Sequence, residues 1–287
     1  MKRTTATSVG FIAVLLWSLL ALFTVGTSPV PPLQLNAISF AISAVIGLVW
    51  TWRVGGFGAL RLVSWKVYAF GTVGLFGYHF LYFSALRAAP AAEAGLIAYL
   101  WPLLIVLFSG LLPGERLRTG HVVGAAISFA GAAMVVLSSA NGFDPAYSTG
   151  YILAAGCAFV WAGYSVLSRR LGDVPTTSVA VFCTFTALLS FGAHLALETT
   201  VWPTSNIGWA AILALGIGPV GLAFYVWDIG VKKGDIQLLG VASYAAPLLS
   251  TVVLIAAGIT ELRWPLLAAA LLISCGAFLA ARTSKLV

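Results

Sequence analysis

Charge in this chain comes in clusters, and between the clusters lie the uncharged stretches 67–86, 94–114, 119–143, 145–168, 174–197, 199–227, 236–260 and 264–281. Each is close to the length of about 20 apolar residues that a helix needs to cross a bilayer core. Residues 4–52 are also uncharged and long enough for two crossings, with Gly26 and the cluster Pro29, Pro31, Pro32 as the turn between them. The expected fold is therefore an all-α integral membrane protein of ten transmembrane helices. A β-barrel is disfavoured, because its strands would alternate polar and apolar residues, whereas these runs are apolar all round. With 61% hydrophobic and only 8% charged residues, the chain lies outside the range of soluble domains and belongs in a lipid bilayer.

The apolar stretch after Lys2 and Arg3 is longer than a signal-peptide core and lacks a small-residue cleavage pattern, so the first helix is expected to stay in place. Cys157, Cys183 and Cys275 fall inside apolar runs without CxxC spacing or a histidine partner, and read as small core residues. No metal site, cofactor or redox chemistry is indicated. The chain is basic, with a pI near 9.5, yet its Lys and Arg form no patch suited to nucleic acid. They sort instead by membrane side: with the N-terminus in the cytoplasm, all of them except Arg87 and Arg263 fall on the inner face. Both termini are then cytoplasmic, and the expected location is the plasma membrane, the inner membrane of a bacterium.

The segment AYLWPLL at 98–104 returns as SYAAPLL at 243–249. A shift of 145 residues also pairs Arg87 with Lys232, Gly95 with Gly240 and Gly131 with Gly276, and pairs Glu115 with Glu261 after one slip. Such fixed spacing marks an internal repeat. Residues 1–142 and 143–287 would be the two copies, five helices each. An odd number of crossings makes the second copy enter from the opposite side, as in transporters with inverted repeats.

Proline has no N–H for the carbonyl four residues earlier, so Pro102 should release the carbonyl of Ala98 and Pro247 that of Ser243. In lipid an orphan carbonyl must face protein or a wet cavity. Tyr99, Trp101 and Tyr244 stand beside these carbonyls with rings that attract cations and stack on apolar groups. A simple packing kink is the alternative. In the third helix Tyr78 and Tyr82 share a face, with His79 beside it to hydrogen-bond a substrate carboxylate or to titrate. The alternatives are a histidine bonded to a neighbouring helix and an interfacial tyrosine belt. Asp228, next to Trp227, has Lys232 at i+4 and reads first as a helix-surface ion pair, with a substrate or proton role second. Glu93, Glu115, Glu198 and Glu261 fall at expected helix ends, where solvation is ordinary, and His194 with Glu198 reads as a surface pair. Gly71, Gly74, Gly77, Gly120, Gly124, Gly216, Gly218 and Gly221 are expected to let helices pack closely.

Trp17 and Trp161, Pro90, Pro102, Gly114-Glu115, Gly124 and Gly131 in the first copy, and Tyr244, Pro247, Glu261 and Gly276 in the second, resemble the EamA-type carriers of the drug/metabolite transporter superfamily. The resemblance covers nearly the whole chain and departs from the pattern at the missing glycine before Glu261. It implies ten helices, no ATPase and export of small metabolites. The aromatic-rich third and fourth helices look most like the aromatic amino-acid exporters of that family. The chain also lacks GxxxxGK[ST], HExxH and a paired nucleophile and base, which argues against an ATP-driven pump and an enzyme. The combined expectation is a secondary transporter without catalytic residues, working by alternating access. Neutral amino acids would sit in a cavity lined by the first, third, fourth, sixth, eighth and ninth helices. Trp17, Tyr78, Tyr82, Tyr99, Trp101, Trp161 and Tyr244 would meet the side chain, and His79 and the freed carbonyls the zwitterion. A nucleotide sugar or lipophilic cation as substrate, or a passive channel, remains the alternative, and the sequence leaves the oligomeric state open.

Overall fold

The computed structural model of the protein describes residues 1–137, 143–259 and 264–284. Glu261, Arg263 and Lys285, used above for the repeat and the topology, lie outside the described residues. No strand occurs among those described. Helix α1 (Arg3–Ser18) runs after one residue into α2 (Leu20–Gly26). The proline turn then leads into α3 (Pro32–Arg53), which begins on a proline because the first helical N–H has no acceptor to lose. After the short α4 (Phe57–Arg61), Ser64 caps α5 (Trp65–Ala88) by accepting the Lys66 N–H. Helices α6 (Ala91–Ala98) and α7 (Trp101–Ser109) are separated at Tyr99 and Leu100, and α8 (Thr119–Val136) follows.

Beyond a short 3-10 turn, Pro145–Tyr147, lie α9 (Ser148–Arg170), α10 (Ser178–Leu197) and α11 (Asn206–Ile217). A π-turn at Gly218–Leu222 joins α11 to α12 (Ala223–Lys233). Helices α13 (Ile236–Ala242) and α14 (Ala245–Ala256) are separated at Ser243 and Tyr244, and α15 (Trp264–Ser284) ends the described chain.

Among the described residues, seven stretches are long and apolar enough to cross a membrane: Arg3–Gly26, Pro32–Arg53, Trp65–Ala88, Pro145–Arg170, Ser178–Leu197, Asn206–Lys233 and Ile236–Ala256. The shorter apolar helical stretches Glu93–Ser109, Thr119–Met134 and Leu267–Thr283 accompany them. The outer faces carry exposed Val73, Ile152, Leu188, Ile207 and Leu271, a surface that only lipid would cover without cost. Inside, bare backbone lets helices meet. A Cβ on Gly230 would lie 2.5 Å from the Cα of Gly10, so α1 and α12 touch there. A Cβ on Gly124 would lie 2.6 Å from the Gly276 carbonyl, and beside it Ser128 donates to the Ile273 carbonyl at 3.3 Å, joining α8 to α15. Small residues at such crossings are how membrane helices gain packing contacts when lipid is as apolar as leucine.

Several charged or titratable side chains differ from their expected surroundings. Glu93 is buried in the first turn of α6, and Glu115 is held between Arg3 and Arg169. His194 and Glu198 form a buried pair, not a surface one, because the end of α10 abuts the start of α3. Linear spacing shows that two residues are neighbours on one helix; it does not show which other helix covers them.

Candidate substrate cavity

A cavity of about 650 Å³ runs from the turn at Thr27, Ser28 and Pro29 into the middle of the bundle. Its inner end is a box of rings. Trp17 lies 6.0 Å from Trp101, 5.8 Å from Trp161 and 6.3 Å from Phe224, measured between ring centroids. Trp227 closes the box from behind, 5.1 Å from Trp17, with its N–H donated to Ser165. Tilted and edge-to-face contacts of this kind favour ring edges against faces, and they hold the box in one geometry. Higher in the cavity, Tyr78 and Tyr82 stack 6.0 Å apart on α5, and Tyr78 also meets Trp161 at 5.2 Å.

Local chain chemistry places these walls. The missing N–H of Pro102 ends α6 early, and Ala98 and Tyr99 line the cavity at that break while Trp101 opens α7 toward Trp17. In α11–α12 the π-turn carries Pro219, whose carbonyl accepts the indole N–H of Trp17 at 3.1 Å. Helix irregularities of this type expose backbone acceptors, and here one orients the central tryptophan.

Of the residues anticipated from sequence, Trp17, Tyr78, His79, Tyr82, Ala98, Tyr99, Trp101 and Trp161 come together around this one cavity. Pro102, Ser243, Tyr244, Pro247 and Asp228 do not line it. Pro102 and Pro247 are buried at the starts of α7 and α14. The Ser243 carbonyl is not left free, since the Ala246 N–H donates to it at 3.0 Å. Tyr244 is fully buried beside Phe129, and its hydroxyl accepts the Leu103 N–H at 3.0 Å. Asp228 is buried with Lys232 at 2.9 Å and accepts from Thr176, while Lys232 also donates to the Val174 carbonyl. This pair is interior rather than on a helix surface.

The sequence reading missed α3 as a wall. Leu35, Asn36 and Ser39 line the cavity from that helix, and Phe224 and Pro219 from α12 and the π-turn before it. A signal existed: Asn36, Ser39 and Ser43 recur at i, i+3 and i+7, a polar stripe on one face of a mostly apolar helix. Among the described residues no cluster of three or more His, Cys, Asp or Glu could hold a metal ion.

The two ends of the molecule differ in how they are tied. Opposite the mouth, the Arg169 guanidinium donates to the carbonyls of Val231 and Gly234 and pairs with Glu115. Arg3 reaches both Glu115 and Asp235 at 3.3 Å, and the Asp235 N–H donates to Thr7. These contacts cross-link α1, α9, α12 and α13 with the loop after α7. Around the mouth, Glu198 accepts the N–H groups of Leu33 and Gln34 at the start of α3, bonds His194 and pairs with Arg87. Burial alone would raise its pKa, but these hydrogen bonds and the nearby guanidinium outweigh burial and hold the carboxyl below its usual range.

A lipid-facing helical bundle enclosing an aromatic cavity that is open at one end and tied by ions at the other has the form of a membrane carrier for small molecules. The sequence matches the EamA-like transporter family over residues 4–137 and again over 148–282, and the chain belongs to that family. It is 53% identical over 283 residues to a protein of Ancylobacter novellus named aromatic amino acid exporter YddG, covering 98% of each chain. A Salmonella typhimurium protein of the same name is 25% identical over 263 residues, covering 88% of each. A solved crystal structure 52% identical in sequence superposes with a TM-score of 0.94, covering 99% of this chain and 100% of its own.

Proposed function

We propose that this chain exports aromatic and other neutral amino acids across the plasma membrane by alternating access, as a ten-crossing carrier with both termini in the cytoplasm. The observation that carries the reading is the aromatic box at the inner end of a cavity whose volume falls within the range of about 300–1,000 Å³ usual for small-molecule sites. The name given to the Ancylobacter novellus relative supports the same substrate class. Trp17, Trp101, Trp161, Tyr78, Tyr82 and Tyr99 would hold the side chain of the amino acid, and His79 with the Ala98 carbonyl would meet its polar end. Tyr244, Pro102, Ser243 and Pro247 would shape the two helix breaks from behind.

Residues 1–142 and 143–287 would be antiparallel copies of one five-helix unit. The double family match and the two breaks at equivalent positions support this. In the charge-sorted topology the mouth faces outward, and Arg3, Glu115, Arg169 and Asp235 lock the cytoplasmic end. Transport would break those ion pairs and close the Arg87–Glu198 side, so that both ends are not open at once.

The test is uptake of labelled phenylalanine into proteoliposomes preloaded with unlabelled amino acids, run beside a nucleotide sugar and a lipophilic cation. Saturable counterflow of phenylalanine is the expected outcome. Exchange restricted to either of the other compounds would overturn the substrate class, and flux that never saturates would mark a pore.

A further inference from the structure

We propose that Asn36 and Ser39 of α3, together with Nε2 of His79, form the ammonium subsite of the cavity, three acceptors for the three N–H bonds of an α-amino group. The proposal rests on the amino-acid carrier reading above and assigns an end of the substrate to a wall.

Asn36 and Ser39 lie one turn apart on α3, both line the cavity, and they are 4% and 1% exposed. The Asn36 amide is oriented from behind: its Nδ2 donates to Ser190 on α10 at 2.7 Å, leaving Oδ1 on the other branch of the amide. Ser39 Oγ is buried and has no hydrogen-bond partner among the described residues. A buried hydroxyl without a partner costs free energy unless something absent from the protein chain completes it. The third group comes from α5: His79 lines the same cavity, and its ring lies 5.0 Å from that of Phe40, the residue next to Ser39, so the imidazole stands against the α3 wall.

The His79 tautomer decides the polarity of this corner. Nδ1 is 2.8 Å from the Leu75 carbonyl, and a carbonyl only accepts, so Nδ1 carries the proton. The neutral ring therefore presents Nε2 as a lone pair. That corrects the expectation of a carboxylate at His79, because an acceptor attracts N–H donors and repels an anion. Asn36 Oδ1 and Ser39 Oγ add two more acceptors. Among the described residues no charged side chain lines the cavity. A lone cation would thus enter uncompensated, whereas the ammonium of a zwitterion brings its own counter-charge. The corner is built for neutral amino acids, with the ring side chain directed into the tryptophan box.

Ser39→Ala is the informative variant, since it removes no hydrogen bond made within the protein. Its thermal unfolding midpoint should match or exceed that of the wild type. Its half-saturation concentration for phenylalanine should rise about tenfold, the usual scale for one lost hydrogen bond to a charged group. Inhibition of phenylalanine transport by 3-phenylpropionate, which keeps the ring and carboxylate but has no ammonium, should be unchanged. Asn36→Leu should act in the same direction, with some loss of stability from the broken Ser190 bond. Unchanged phenylalanine kinetics in folded Ser39→Ala would overturn the subsite while leaving the carrier reading intact. Equal weakening of phenylalanine and 3-phenylpropionate would also overturn it, by assigning the corner to the carboxylate. A wild type that carries no phenylalanine would overturn the substrate reading and this subsite with it.

Discussion

Tyr99 and Tyr244 occupy the same place in two copies of one sequence pattern and end in opposite environments. At the first break, Tyr99 and Ala98 border the cavity. At the second, Tyr244 is sealed in protein, its hydroxyl takes the Leu103 N–H, and the Ser243 carbonyl is capped by Ala246. The second break therefore completes the backbone of the first, because Leu103 lies in the first turn of α7, directly after Pro102. A duplicated motif has been divided into one half that faces the cavity and one half that braces it. In an alternating-access cycle this asymmetry would reverse, so the comparison also describes which of two states the molecule is in.

Substitutions at residues 145 apart test that division. The largest difference is expected for Lys232 and Arg87. Lys232→Met strands the buried Asp228 carboxylate and should cost about 3–5 kcal/mol of stability, whereas Arg87→Met removes a half-exposed partner worth about 0–1 kcal/mol. Thermal unfolding of the two purified variants measures both. Next come the tyrosines. Tyr244→Phe leaves a buried N–H at Leu103 without its acceptor and should cost about 1–3 kcal/mol, while Tyr99→Phe should leave the unfolding midpoint within error and change phenylalanine kinetics. If both tyrosines behaved alike in the melt, the division of labour would be wrong.

The glycine pair gives a smaller effect of opposite sign. A Cβ on Gly95 meets nothing within 4 Å, so Gly95→Ala should stabilise α6 by about 1 kcal/mol through helix propensity. A Cβ on Gly240 would lie 3.0 Å from Val106 and 3.1 Å from the Pro102 carbonyl, so Gly240→Ala should forfeit that gain. The smallest effect concerns acid. The Glu198 carboxyl is held below its ordinary value in the folded state, so its contribution is complete at neutral pH and is lost as pH falls through the acid range below that value. Glu198→Gln should lower stability at neutral pH and flatten its decline in acid, seen as converging melts of variant and wild type.

Much of the cavity was legible in the chain. The Tyr78–Tyr82 face was found from helical spacing, Trp101 from its place beside the repeated proline, and Trp17 and Trp161 from the resemblance to a carrier family. The α3 wall was not found. Asn36 and Ser39 share a face with Ser43 by spacing, but the spacing does not say whether that face meets another helix or a cavity until Ser190 and the cavity show where they point. The His194–Glu198 pair was misplaced for a related reason. A carboxylate at a helix end is solvated by default, and only the arrival of the α3 N-terminus beside it makes it a buried cap.

By itself, then, the sequence determined that the chain lives in lipid and that a proline-marked helix break recurs at a fixed spacing. These follow from hydropathy, from the missing N–H of proline and from charge, all properties of residues within a few positions of one another. Which tyrosine borders the cavity, which ion pairs seal the far end and which polar groups of α3 are left without a partner were decided only by the tertiary structure. Those outcomes depend on contacts between residues 54 or more positions apart, and the approach of two helices is set by packing across the whole bundle.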